Sequence, residues 1–90
     1  MSLVVLGVPS SAGAHGVGQE KAPAALRAAG LIGGLRAAGL DVIDTGDLEE
    51  FRFRPDPAHS KQQNLDSVVA VASEVAGRVT SLIRQGHVPI

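Results

Sequence analysis

Residues 3–8 (Leu-Val-Val-Leu-Gly-Val) form a continuous apolar and β-branched run, which Pro9 ends. Such runs are typical of a strand buried on both faces in a parallel sheet, because a strand with one wet face alternates apolar and polar residues. Residues 41–44 (Asp-Val-Ile-Asp) predict a second, short strand, and residues 87–90 (His-Val-Pro-Ile) predict the entry to a third. We therefore predict an α/β fold around a parallel sheet.

The segment between the first two strands is rich in strong helix formers. Residues 23–29 predict a helix with its proline in the first position, where a missing backbone N–H costs nothing. Gly30 interrupts that helix, and residues 31–38 resume it until Gly39 supplies a stop. Strand, helix and strand in this order predict a right-handed βαβ unit.

The clearest helix precedes the third strand. Its apolar residues recur every three or four positions between residues 64 and 85, with Asn64 as the predicted N-cap and Gly86 after the end. We therefore expect residues 1–90 to form a βαβα segment that ends at the start of its third strand. Two short strands and a stub make a poor independent sheet, so we also expect a larger α/β domain or an unseen partner.

Three segments are predicted to lack regular structure: the glycine-rich residues 9–21, a polar turn at residues 45–47, and an arm at residues 48–61 that contains Pro55 and Pro57. Ligands of open α/β sheets bind outside the carboxyl ends of the strands. The first two segments, together with Asp44, are therefore the candidate ligand sites.

The glycine spacing of the first loop does not fit a nucleotide fingerprint. Lys21 stands where the third glycine of G-x-G-x-x-G belongs, and Gln19 stands where a P-loop needs lysine. Within this loop His15 has the chemistry to transfer protons or bind a metal. The alternatives are a place at the rim of a substrate site and a solvated histidine without a role.

Other polar residues have equally open roles. Asp44 and Asp47 are suited either to a hard cation or to hydrogen bonds with their own turn. Arg52 and Arg54 are suited either to a carboxylate or neighbouring subunit or to a solvated strip. The two remaining histidines, His59 and His87, are predicted to be structural or exposed, because no histidine pair has a metal-ligand spacing.

The composition excludes several classes of function. Eight Lys plus Arg against nine Asp plus Glu give a net charge of −1 without a basic block, which argues against nucleic-acid binding. The chain has no cysteine, so it has no disulfide framework or thiolate metal site, and this fits the cytoplasm. No stretch is long and apolar enough to predict a membrane span or a signal peptide.

The ordered pattern of motifs resembles the N-terminal part of the arginase, or ureohydrolase, family. The likeness begins at residues 7–9 (GVP) and 11–13 (SAG), sharpens at residues 18–31 (GQEKAPAALRAAGL), and continues at residues 40–48 (LDVIDTGDL). The predicted helix at residues 64–85 falls where the family places the helix before its first metal-binding strand. The resemblance covers nearly the whole chain.

The resemblance implies a three-layer α/β/α fold and, in the intact parent enzyme, a binuclear manganese cluster whose bridging hydroxide attacks a guanidinium or related carbon. It also implies arginine or another small guanidino substrate and a cytoplasmic homo-oligomer, a trimer or hexamer. The family's metal motifs (GGDH, DAHxD and DxDxxDP) are not in this sequence. We therefore expect no metal ligand, no bound cofactor, no catalytic residue and no activity in this segment alone.

By analogy with the family, the loop of residues 10–18 borders the substrate cleft. Two departures, Ala22 in place of a common glycine and residues 15–17 in place of often basic ones, leave open which guanidino compound the parent takes. The expected residues of this cleft loop are Ser10, Ser11, Gly13, His15 and Gly16.

The alternative from a different class is a small noncatalytic α/β module for ligand binding or assembly.

Overall fold

A computed structural model describes all ninety residues, Met1–Ile90. Three parallel strands form one sheet in the order β2-β1-β3: β1 spans Leu3–Gly7, β2 spans Val42–Asp47 and β3 spans Val88–Pro89. The α/β class and the parallel sheet predicted from the apolar runs are thus confirmed. Val4 and Val5 are adjacent and both buried, so the central strand β1 is covered on both faces.

Three α-helices connect the strands. α1 spans Ala22–Ala28, α2 spans Leu31–Ala37 and α3 spans Leu65–Arg84, and short 3-10 turns lie at Gln19–Lys21 and Pro57–His59. The break between α1 and α2 lies at Gly30, whose φ of 96° is in the left-handed region. α1 begins one residue before the predicted proline, and the other helices lie within one or two residues of their predicted bounds.

The two crossovers run in opposite directions across the sheet. The chain passes from the central β1 to one edge through α1 and α2, then from β2 back past β1 to the other edge through α3. Right-handed crossovers in opposite directions place their helices on opposite faces of a sheet. The result is three layers, with α1 and α2 on one side and α3 on the other.

The predicted polar turn at residues 45–47 is wrong, since β2 continues through it to Asp47. The pairing with β1 shifts by one residue on the way: Val5 stands opposite Asp44, whereas Gly7 stands opposite Asp47. Gly46 has a φ of 80° at this irregularity. A single residue in that conformation lets a strand take up an extra position and keep its pairing, so a turn-like sequence is accommodated inside a strand.

The core is small and consists of small side chains. Only ten of the ninety residues are buried, and none of them belongs to α1, α2 or α3. The helices therefore cover the sheet with half-buried side chains and leave large apolar side chains exposed. The buried apolar residues are Val4, Val5, Ala12, Val42 and Leu48.

Both edges of the sheet carry a feature that limits further pairing. At the β3 edge, the N–H groups of Val88 and Ile90 donate to the carbonyl oxygens of Ser2 and Val4 on the neighbouring central strand. The backbone of the intervening Pro89 therefore faces outward, and proline has no N–H to offer another strand. On β2, Arg36 Nη2 donates to the Val42 carbonyl oxygen at 3.1 Å.

None of the helices combines the length and apolar character that a membrane crossing requires.

Candidate functional site

The carboxyl ends of β1 and β3 lie side by side at the point where the crossover direction reverses. Leu6 N–H donates to the Ile90 carbonyl oxygen at 2.9 Å, which ties the two strand ends together. In open α/β sheets this reversal opens a crevice for ligands above the strand ends. The glycine-rich loop, residues 10–18, leaves the sheet from β1 at this point, and its role as a cleft loop stays a prediction.

The arm that follows β2 is paired with the beginning of this loop. Ser10 and Phe51 form an isolated parallel bridge, with Phe51 N–H donating to the Pro9 carbonyl at 3.0 Å and Ser11 N–H donating to the Phe51 carbonyl at 2.9 Å. The prediction that residues 48–61 are wholly irregular is therefore wrong at their start. Alternation of apolar and basic residues at positions 51–54 was the sequence signal for this pairing.

The expected cleft residues fall into an inner and an outer group. Ser11 is only 1% exposed, and its hydroxyl accepts the Phe53 N–H at 2.9 Å, so it lies behind the loop surface. His15 is exposed, takes a left-handed φ of 59°, and has its ring 6.2 Å from that of Phe53. Ser10 and Gly16 are half-buried and Gly13 is exposed. The structure does not bring any two of these side chains into a catalytic arrangement.

An open groove of about 760 Å³ lies between the loop, the arm and the start of α3. Its walls carry charges of both signs, and Asn64, which precedes α3, is one of its lining residues. The Asn64 side chain does not cap its own helix; its Nδ2 donates to the Arg54 carbonyl at 2.7 Å and fastens the arm there. The lining residues are Val17, Glu49, Glu50, Phe51, Arg52, Phe53, Arg54, Asn64 and Ser67.

Glu20 is the buried acid beneath the loop, and no sequence pattern predicts it as a site residue. Its carboxylate accepts hydrogen bonds from Gly18 N–H and Ser11 Oγ and forms a long ion pair with Arg52. Burial raises the pKa of Glu20, but the backbone hydrogen bonds and Arg52 together hold that pKa below its ordinary value. An acidic residue inside a 3-10 turn carries no motif, so no sequence signal separated it from a surface glutamate.

Asp44 and Asp47, the alternative cation pair, are held by Arg27 of α1. Arg27 binds both oxygens of Asp44, at 2.9 and 3.0 Å, and its Nη1 also contacts Asp47. Gly46 N–H donates to Asp44 at 2.9 Å, as expected of an acid that bonds its own turn. The hydrogen bonds from Arg27 are the main reason that the pKa of Asp44 is lowered.

The remaining polar candidates have structural or weak contacts. His87 Nδ1 accepts the Ser2 N–H at 3.3 Å, and His59 Nδ1 lies 3.0 Å from Asp56 Oδ1 at the surface. Hydrogen bonds to His59 lower the pKa of Asp56. Arg52 lies 3.5 Å from Glu20 and 3.8 Å from Glu50, with more than half of its side chain exposed.

The residues of this chain do not fit a binuclear manganese cluster. No group of three or more His, Cys, Asp or Glu side chains is placed to hold a metal ion. Asp44 and Asp47 are the acids considered above as a cation pair. Both of their carboxylates form ion pairs with the Arg27 guanidinium.

Comparison with curated proteins identifies relatives along the whole chain, whereas no protein-family model and no solved structure matches it. Mouse Arginase-1 is 38% identical over 89 residues, covering 99% of this chain and 28% of the relative. Arginase of Staphylococcus aureus strain COL is 32% identical over 89 residues, covering 96% of this chain and 30% of the relative. Arginase, non-hepatic 2, of Xenopus laevis is 36% identical over 87 residues, covering 96% of this chain and 24% of the relative.

The chain thus spans less than a third of the length of these relatives. The order of its motifs, its parallel sheet with helices on both faces, and these matches agree with one another. Over nearly all of its ninety residues the chain is similar to arginases, and this similarity supports its recognition as an N-terminal arginase fragment.

Proposed function

We propose that residues 1–90 are the N-terminal βαβα segment of a larger arginase-like domain, in a manganese-dependent ureohydrolase that acts on arginine or a related guanidino compound. The match to arginases over almost every residue carries this proposal. The position of the glycine-rich loop at the reversal of the crossovers supports it, because ligands bind there in open α/β sheets.

In this proposal the segment contributes the cleft wall, and residues outside it contribute the metal ligands. The loop of residues 10–18 presents Ser10, Gly13, His15 and Gly16 at the surface or half-buried, whereas Ser11 holds the loop from behind. The segment supplies no catalytic residue and is inactive alone. The parent is a cytoplasmic homo-oligomer, a trimer or hexamer, without nucleic-acid or membrane partners.

The test exchanges the matched segment of Staphylococcus aureus arginase for residues 1–90 of this chain. We expect the chimera to release urea from arginine when manganese is added, and we expect the isolated ninety-residue chain to release none. The control is the same arginase with its matched segment deleted. Urea release by the isolated chain would refute its inactivity, and a chimera that melts cooperatively but releases no urea would refute the functional assignment.

The alternative is a noncatalytic assembly module, which the exposed apolar residues of α3 favour. Leu65, Val69 and Ile83 are each about half exposed on this helix. The length of the native polypeptide, measured by intact mass, separates the two. A longer native chain supports the enzyme, and a ninety-residue chain that melts cooperatively supports the module.

A further inference from the structure

The buried carboxylate of Glu20 lies where the glycine-rich loop, the arm and α1 meet. Glu20 is 3% exposed and belongs to the 3-10 turn Gln19–Lys21, which runs directly into α1. The backbone that carries Glu20 is therefore continuous with a helix, while the groups it binds lie in irregular segments.

At the end of the loop, Glu20 fixes Gly18. The Gly18 N–H donates to both carboxylate oxygens, at 2.9 and 2.7 Å. Gly18 has a φ of 133°, a conformation that glycine adopts far more readily than other residues. The carboxylate thus fixes the backbone of the loop at a glycine, the residue type with the greatest conformational freedom, immediately before the helical turn begins.

At the beginning of the loop, Glu20 is linked to Ser11 and through it to the arm. Ser11 Oγ donates to Glu20 Oε1 at 3.5 Å and accepts the Phe53 N–H at 2.9 Å. Arg52, one residue earlier in the arm, places its Nε 3.5 Å from the same carboxylate oxygen. One acid therefore contacts both ends of the loop and the segment that lines the adjoining groove.

We propose that Glu20 is the positioning residue of the glycine-rich loop: its ionised carboxylate joins the two ends of residues 10–18 to the arm and so sets the shape of the cleft wall. The role of this wall as part of a substrate cleft rests on the proposed function; the positioning itself does not. A negative charge is required because a neutral amide offers only one acceptor oxygen to the Gly18 N–H and no charge to Arg52.

Few charged groups surround this carboxylate. Arg52 is the one cation paired with it, and Glu50 Oε1 lies 3.8 Å from the same guanidinium nitrogen. Gly18 and Ser11 do not titrate, and the neighbouring Lys21 is exposed. Because the pKa of Glu20 is lowered in the folded chain, its contribution is present at neutral pH and is lost as the pH falls through that lowered value.

The experiment follows single amides of the ninety-residue chain by NMR in three proteins: the wild type, Glu20→Gln, and the control Glu49→Gln, which alters an exposed glutamate of the arm. We expect exchange at the Gly18 and Phe53 amides to become at least tenfold faster in Glu20→Gln, while the Leu6 and Ile90 amides of the sheet keep their rates. The Gly18 amide shift is expected to titrate below the usual glutamate range in the wild type and not at all in Glu20→Gln. Glu49→Gln should match the wild type in every respect.

Unchanged Gly18 and Phe53 exchange in Glu20→Gln would overturn the proposal, as would a Gly18 titration that persists in that variant. If Glu20→Gln does not fold, Arg52→Gln decides, since it removes only the half-exposed cation. It should raise the midpoint of the Gly18 titration and leave the sheet amides unchanged, and an unaltered midpoint would overturn the proposal. None of these readouts involves substrate, so they stand apart from the activity of the chimera.

Discussion

Gly7 shows how one missing side chain shapes the end of β1. A Cβ built at this position would overlap Asp47 Oδ1 and lie 3.1 Å from the Pro23 side chain. The space that glycine leaves is thus filled by the acid that Arg27 binds. The requirement is steric, and the glycine allows α1 and β2 to meet beside β1.

We expect Gly7→Ala to lower the free energy of unfolding by about 1–3 kcal/mol, because the methyl group forces Asp47 away from Arg27. Gly33→Ala is the matched control: nothing lies within 4 Å of a Cβ there, and alanine favours the helix by about 0.5–1 kcal/mol. Urea unfolding monitored by circular dichroism measures both. Equal stability of the two variants would contradict the steric role of Gly7.

The acids at positions 44 and 47 illustrate what the sequence alone leaves open. Their spacing around a glycine was consistent with a cation site and with a self-bonded turn. Only the fold brings Arg27, seventeen and twenty residues away along the chain, against both carboxylates. Glu20 was missed for the same reason, since its burial follows from long-range packing.

At the scale of the element, α3 carries two apolar stripes of different exposure. The first faces the sheet and is half-buried; it comprises Val68, Val71, Val75, Val79 and Leu82. The second lies beside it and is exposed; it comprises Leu65, Val69, Ala72, Ala76 and Ile83. The helical period predicted one broad apolar face, and the structure shows that the sheet covers only half of it.

Two identical substitutions in α3 separate these stripes. We expect Val75→Ala to lower the free energy of unfolding by about 1 kcal/mol, because it removes partly buried methyl groups. We expect Val69→Ala to raise the free energy of unfolding by about 0.3 kcal/mol, because alanine has the higher helix propensity and Val69 is 53% exposed. Chemical unfolding of both variants makes the comparison. A larger loss for Val69→Ala would mean that something covers the second stripe in solution.

Regular elements were predictable because their signals are local. Apolar runs located β1 and β3, and helix formers with glycine stops located α1 and α2. Pairing was not predictable where it depends on a neighbour. Residues 45–47 have the composition of a turn, but Asp47 pairs with Gly7, and Phe51 lies in a segment predicted to be irregular but bridges Ser10. Strand formation at such positions is decided by the partner strand and not by propensity.

The whole molecule is flatter and more open than an ordinary domain of its size. Its extents are 49 × 30 × 16 Å and its radius of gyration is 15.0 Å, against about 12 Å expected for a compact ninety-residue domain. Since only ten residues are buried, the free energy gained from burial is correspondingly small. This shape suits a layer of a larger assembly, which agrees with the proposal of a longer parent.

We expect the isolated chain to unfold in urea with an m-value at or below about 1 kcal/mol/M, the low end for small proteins, because m scales with the surface exposed on unfolding. Denaturation at two protein concentrations tenfold apart is the measurement. An m-value near 2 kcal/mol/M that does not depend on concentration would show that the monomer buries far more surface than this fold does.

The two blunted edges of the sheet have a consequence for the chain during synthesis and storage. An incoming strand finds no N–H at Pro89 on one side and finds the Val42 carbonyl already bonded to Arg36 on the other. Unprotected edges act as templates for amyloid-like growth, and proline and basic residues are the common safeguards against it. Pro89 and the occupied Val42 carbonyl therefore disfavour the addition of a further strand at either edge of this thin sheet.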